Sequence, residues 1–353
     1  MGNKIIESDL KQITNRLLNY SDKLNGKSLL LTGAAGFIGK YIFNTIDYFN
    51  SNILDKPCTV IAVDNYITGL EKQYNYENQK WIKHDIRNPF QIDGDVDYIV
   101  HAAGLGSPAF YDKFKIETIE VGTIGTKNIL ELANDKNVDS MIFFSSSEVY
   151  GNPDPKFIPT PETYNGNVSP IGPRSCYDES KRLGETYCVT YNEIYQTPVK
   201  IIRPFNVFGP GLRFDDKRVI PNFISFAMKG EDIPIYGDGM QTRTFCYISD
   251  FIVGMFQVLF SDYDGEAFNI GNPDGEIGME ALASLACELF GNNSKPTKVE
   301  DVNTVYDKNT DPYRRCPDVH KISNLVGFHP EIDLKEGLKR TIEWFQFEYK
   351  DST

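Results

Sequence analysis

The sequence predicts an α/β protein: a Rossmann-type, doubly wound parallel sheet with a smaller C-terminal substrate-binding lobe. Three observations carry this. Short β-branched or aromatic runs alternate with longer amphipathic stretches up to about residue 205. Three glycines, Gly33, Gly36 and Gly39, stand where the first such run gives way to the first amphipathic stretch. Beyond Arg203 glycines and prolines crowd shorter elements, which marks a change of architecture.

The elements follow in order. Ile6, Leu10, Ile13 and Leu17 recur at helical spacing, with Ser8 and Asp9 as caps near the start, so residues 1–26 read as a helical extension packed on the surface. Residues 28–32 are the first strand, 37–49 a helix and 58–63 the second strand. A later strand at 97–101 leads to a helix over 118–134. A strand at 140–145 precedes a loop rich in proline and glycine that reaches Ser175. A helix over 177–195 and a strand at 199–203 complete the alternation, which implies helices on both faces of a parallel sheet. A helix then covers 221–230, and residues 234–239 and 271–278 are turn-rich. The expected division is 27–205 plus 241–271 for the main domain and 206–240 plus 272–353 for the smaller lobe. A cleft between them would open at the carboxyl ends of the strands, where such sheets bind ligands.

Composition narrows the partners. A net charge of −13 and a pI near 4.9 argue against nucleic acid and anionic membrane surfaces, which need basic faces. The apolar runs are too short to span a bilayer, and the N-terminus lacks a basic-then-apolar signal pattern. Six cysteines (58, 176, 188, 246, 287 and 316) form no CxxC pair, and four histidines form no ligand pattern. A reducing cytoplasm and no metal site are expected.

The glycine motif reads Thr32-Gly33-Ala34-Ala35-Gly36-Phe37-Ile38-Gly39. Gly33 makes the tight turn, Gly36 admits a pyrophosphate and Gly39 lets helix meet strand. The helix start over Ala35, Phe37 and Ile38 points its amides at the phosphates. Asp64, ending the second strand beside Asn65, suits ribose hydroxyls and repels a 2′-phosphate, so NAD is expected over NADP. Asp85 and Ile86 are placed near the adenine. Ala102, Ala103 and Gly104 are small enough to pass close to the dinucleotide.

Tyr177 and Lys181 lie one turn apart on one helix face. An ammonium beside a phenol is expected to lower the phenol's pKa and make it a usable base. Ser145-Ser146-Ser147-Glu148 follows the strand that precedes them.

Together with Arg203-Pro204-Phe205-Asn206-Val207-Phe208-Gly209-Pro210, these motifs resemble the extended short-chain dehydrogenase/reductase family. That family comprises nucleotide-sugar epimerases, dehydratases and decarboxylases, and the resemblance covers about residues 27–347. It implies that Tyr177 is the base for hydride transfer from sugar C4, that Lys181 holds the nicotinamide ribose, and that Ser146 or Ser147 bonds the C4 oxygen. Dehydratases usually show Thr-Asp-Glu where this chain has Ser146-Ser147-Glu148. The wording Ser147-Glu148-Val149-Tyr150-Gly151 and Pro170 to Glu179, through Arg174, is similar to UDP-glucuronate decarboxylases. So are Tyr236 to Arg243 and Arg314-Arg315-Cys316-Pro317-Asp318.

The expected reaction is therefore decarboxylation of UDP-glucuronate. The alternatives are a 4,6-dehydratase or 4-epimerase on another nucleotide sugar, or a non-catalytic NAD-sensing protein. Glu148 would manage protonation at C5, and Arg243 would hold a carboxylate or phosphate. Asn206, Asn222 at the start of its helix, and Arg314 or Arg315 would meet the diphosphate, with Pro108 and Tyr236 beside the substrate. The chain departs from decarboxylase wording in the 102–108 loop and at Gly211, where an arginine is usual and Arg213 follows two residues on. A homodimer through helices near 113–134 and 177–195 is expected from the family.

Overall fold

The computed structural model describes residues 2–68, 78–299 and 312–350. Seven parallel strands lie in the spatial order Ala267–Ile270, Val199–Pro204, Ser140–Phe144, Tyr98–His101, Ser28–Thr32, Thr59–Asp64 and Gln79–Lys83. The Ser28–Thr32 strand pairs with Thr59–Asp64 on one side and Tyr98–His101 on the other, so the winding reverses at this point. A crevice opens at its carboxyl end for that reason.

Both faces of the sheet are covered. Leu29, Leu31, Val60, Ala62 and Val100 face one core, which includes Phe43, Ile46 and the buried Ile248–Leu259 helix. Leu30, Ile61, Val63 and Ile99 face the other, under Ile129, Leu130 and Cys188. Strands buried on both sides read as continuous apolar runs rather than alternating ones. The glycine motif bridges Ser28–Thr32 to the helix Phe37–Asn52.

Three expectations need correction. Ser8 and Asp9 are not caps: the first helix runs Gly2–Arg16 and they lie in its second turn. Asp9 is fully buried, and its carboxylate accepts from the Tyr41 and Tyr247 hydroxyls at 3.1 and 2.8 Å and from Arg340 at 3.0 Å. The helix expected over 118–134 is Lys115–Glu120, a π-turn Val121–Gly125, and Thr126–Lys136. Two glycines explain the wide turn, because side chains there would crowd Ser180 (from Gly122) and Ile86 (from Gly125), both under 3 Å away. Residues 234–236, expected as turn, belong to the strand Ile233–Tyr236, which pairs with Pro296–Val299.

The rest of the C-terminal half forms small sheets and helices beside the crevice. Thr242–Arg243 pairs with Ile277–Gly278 and Arg314–Arg315, and Val219–Met228 is a helix. Parts of the expected second lobe, at 300–311 and 351–353, lie outside the described residues.

Candidate active site

A cavity of about 970 Å³ runs along the carboxyl ends of the strands. Its floor is the glycine motif. Gly33 has φ +71°, and a Cβ there would come within 2.8 Å of the Ala102 and Ala103 backbone. A Cβ on Gly39 would collide with the Gly33 carbonyl, so helix and turn touch only because both are glycine. Gly33, Ala35, Gly36, Phe37, Ile38, Gly39, Ala102 and Gly104 all line the cavity. This is a cradle of backbone at a helix N-terminus, and it fits a dinucleotide pyrophosphate.

Asp64 holds the cradle's rim: its oxygens accept from Ala35 N at 2.9 Å and Tyr66 N at 2.8 Å. Asn65 donates to Asp85 at 3.2 Å, and Asp85 is paired with Arg87, whose hydrogen bonds hold it below the usual carboxylate range. Asp64, Asn65, Asp85, Ile86 and Ala103 stand outside the cavity lining. Beneath the cradle lies a buried relay that sequence reading missed. His101 Nδ1 meets Thr32 Oγ1 at 2.7 Å, and Nε2 meets Thr126 Oγ1 at 3.2 Å. Thr126 donates onward to Gly122 O, and Thr32 accepts from Ala103 N, so His101 carries its proton on Nε2. Burial, with Lys181 nearby, pushes its pKa down to about 3.

At the other end Tyr177 and Lys181 project from the helix Ser175–Tyr195. Lys181 Nζ donates to Phe144 O at 2.7 Å and lies 5.9 Å from the Tyr177 ring centroid. The expected lowering of the phenol is not what these residues produce. Burial pushes Tyr177 up to about 12 against a hydrogen bond with Ser146, and burial brings Lys181 down to about 8. Desolvation outweighs the ammonium, which is engaged by a backbone carbonyl. Ser146 and Ser147 are buried and line the cavity, and Ser146 Oγ accepts from Glu148 N at 3.2 Å.

The substrate end is cationic. Glu148 is bound by Arg174 and, through both oxygens, by Arg315 at 2.7 and 2.8 Å. Burial works against its charge, yet Arg174 and Arg315 hold it well below the usual carboxylate range. Arg243 is buried, lines the cavity and donates to Thr242 O at 2.8 Å. Pro108, Arg174, Asn206, Asn222 and Tyr236 line the same space. Asn206 has φ +41° and donates its amide to Thr244 O at 2.7 Å. Asn222 lies one residue beyond Pro221 in a helix that begins at Val219. The adjacent arginines divide: Arg315 faces the cavity, whereas Arg314 is 43 % exposed and paired with Glu276 at 2.6 Å. Sequence reading also passed over Asp178, buried one residue after Tyr177 and one turn from Arg174. That i, i+4 spacing was the available signal.

Among the described residues no group of three or more His, Cys, Asp or Glu is placed to hold a metal ion, and no helix is long and apolar enough to cross a membrane. The fold, the glycine cradle and the Tyr177/Lys181 pair define a nucleotide-cofactor enzyme of the Rossmann class. The chain belongs to the NAD dependent epimerase/dehydratase family, whose pattern matches residues 29–271.

Among its relatives is UDP-glucuronic acid decarboxylase 5 of Arabidopsis thaliana, 40 % identical over 323 residues, covering 90 % of this chain and 89 % of that one. UDP-glucuronic acid decarboxylase 1 of Xenopus tropicalis is 38 % identical over 336 residues, covering 94 % and 75 %. Among solved structures, an epimerase from Methanothermobacter thermautotrophicus aligns with TM-score 0.81 at 27 % identity, over 96 % of this chain and 97 % of that one. UDP-glucose 4-epimerase from Thermotoga maritima, solved with UDP-glucose, aligns with TM-score 0.77 at 27 % identity, over 91 % and 99 %. NAD is the cofactor of this family, and the cradle has the residues to hold it.

Proposed function

We propose that this enzyme decarboxylates UDP-glucuronate to UDP-xylose. The observation that carries the reading is the buried cationic corner, Arg174, Arg243 and Arg315 around Glu148, next to a Tyr/Lys pair. Such a corner suits an anionic sugar. When bound, NAD supplies the hydride acceptor and later the hydride donor at sugar C4. Tyr177 takes the C4 hydroxyl proton, with Ser146 or Ser147 on the oxygen and Lys181 on the ribose. The resulting C4 ketone lies β to the carboxylate, so the C5–C6 bond breaks and its electrons enter the ketone as carbon dioxide leaves. A proton from solvent, passed by Glu148, then replaces the lost carboxylate at C5. Asn206, Asn222, Arg315 and Tyr236 are the groups for the diphosphate and nucleotide, and 206–240 plus 272–353 form the substrate lobe. Asp64, Asn65, Asp85 and Ile86 are kept for the adenosine end.

The test is incubation with NAD and UDP-glucuronate, read by mass spectrometry. Loss of one carbon dioxide is expected, and Tyr177→Phe should lower turnover by at least about a hundredfold with NAD binding intact. An unchanged mass would move the assignment to a 4-epimerase or 4,6-dehydratase, to be found by NMR on a panel of nucleotide sugars. Near-normal turnover in the variant would remove Tyr177 from the chemistry.

The same reading includes a homodimer and a cytoplasmic location. Ile116 and Ile119 are 64 and 41 % exposed, and Leu183, on the helix packed beside them, is 46 % exposed, which supports burial between two copies. All six cysteines are free, as a reducing compartment would keep them.

A further inference from the structure

Glu148 shares its guanidinium partner with a second carboxylate. Arg174 stands at the N-terminal boundary of the Ser175–Tyr195 helix and reaches Glu148. One turn on, Asp178 Oδ2 lies 3.9 Å from Nε of the same Arg174. Asp178 is 7 % exposed, and its Oδ1 is buried with no hydrogen-bond partner among the described residues. A buried carboxylate oxygen without a partner is costly, and two carboxylates beside one cation do not ionise independently. Asp178 also follows Tyr177 directly, so the arrangement sits against the reacting hydroxyl.

We propose that Asp178 is a positioning residue: ionised, it draws Arg174 away from Glu148 and frees Glu148 for proton transfer, whereas protonated, it leaves Arg174 locked on Glu148. The inference rests on the proposed role of Glu148 at C5. It resolves a conflict in the site, because a carboxylate clamped by two arginines holds a proton poorly. With Arg174 withdrawn and a second negative charge close by, Glu148 regains proton affinity. Solvent protonates it, the proton passes to C5, and the carboxylate returns to its starting state.

The groups facing Asp178 are Arg174, Tyr177 and Glu179 on its own helix, Glu148 from the 3₁₀ turn after the Ser140–Phe144 strand, Arg315 from its short strand, and Tyr111 from the helix Pro108–Tyr111. Burial and then the Glu148 charge push Asp178 upward, toward the neutral range, against the pull of Arg174 and Arg315.

The experiment is the pH profile of kcat and KM for UDP-glucuronate in the NAD-loaded enzyme, wild type against Asp178→Asn and Asp178→Glu. In wild type kcat should rise with pH along an acid-side limb. Asp178→Asn mimics the protonated state, so kcat should fall about tenfold or more and lose that limb. KM should change by less than about threefold, because the substrate-facing arginines remain. Asp178→Glu should restore a limb at a displaced pH. An unchanged limb in Asp178→Asn, or a loss carried wholly by KM, would overturn the proposal. Should Asp178→Asn fail to fold, Asp178→Glu decides alone: a limb at the wild-type pH sinks the idea. Failure of the decarboxylase reading looks different, since wild type would then release no carbon dioxide at any pH.

Discussion

His101 shows how one side chain ties the cofactor cradle to the rest of the fold. It is buried between Thr32 and Thr126, and the relay around it admits only the neutral ring. The unfolded chain takes up a proton near pH 6.5, but the folded chain holds out to about 3. Acidification therefore favours unfolding, and this contribution is whole above 6.5 and drains away as pH falls toward 3. Between pH 6.5 and 5 it should cost about 2 kcal/mol. Urea unfolding of wild type and His101→Asn across that range checks it: the wild-type curve should fall more steeply, and parallel curves would mean that His101 titrates normally. The Tyr177 phenol teaches a related lesson, since desolvation there outweighs a neighbouring ammonium.

The N-terminal helix Gly2–Arg16 is the clearest case at the scale of an element. Ile13 and Leu17 are buried by its apolar stripe, and Arg16 pairs with Asp250. Its Asp9 gathers Tyr41, Tyr247 and Arg340 from three other segments. Asp9→Ala would leave two buried hydroxyls and a guanidinium without their acceptor. It should lower unfolding free energy by about 3–5 kcal/mol, measured by urea titration, while Ser8→Ala, on the exposed side, stays within about 0.5 kcal/mol. Equal effects would show that the buried cluster contributes nothing particular.

The helix itself was legible from the spacing of Ile6, Leu10, Ile13 and Leu17, and the sheet from its runs of β-branched residues. Both are local periodicities. The role of Asp9 was not legible, because its partners stand up to 331 residues away and an acid near a helix start ordinarily reads as a cap. The site divides the same way. Gly33, Tyr177 and Lys181 announce themselves by spacing, whereas the choice between Arg314 and Arg315 depends on a strand's facing, and the His101 relay joins three segments distant in sequence.

On the scale of the whole molecule, a chain of net charge −13 encloses a cavity where Arg174, Arg218, Arg243 and Arg315 converge. An acidic exterior with a cationic interior disfavours extended polyanions but accepts a compact one. The apolar outer face of the 115–120 and 175–195 helices is the remaining exposed feature. Light scattering should find particles of twice the 40.0 kDa chain mass. An Ile119→Arg, Leu183→Arg double variant should give single chains, because paired charges are expensive to bury between copies. A wild type that elutes as single chains would remove the dimer from the proposal.

The π-turn Val121–Gly125 carries a consequence for how this chain can tolerate insertion and deletion. In a regular helix each residue advances the azimuth by about 100°. Deleting one residue from the wide turn would heal its hydrogen bonds and improve the helix taken alone. It would also rotate Thr126 and everything after it against the part that holds Gly122 to Ser180. The hydroxyl that receives His101 would swing out of line, and the cradle would lose its support from below. The irregular turn acts as a phase shifter between two faces that must each meet a fixed neighbour.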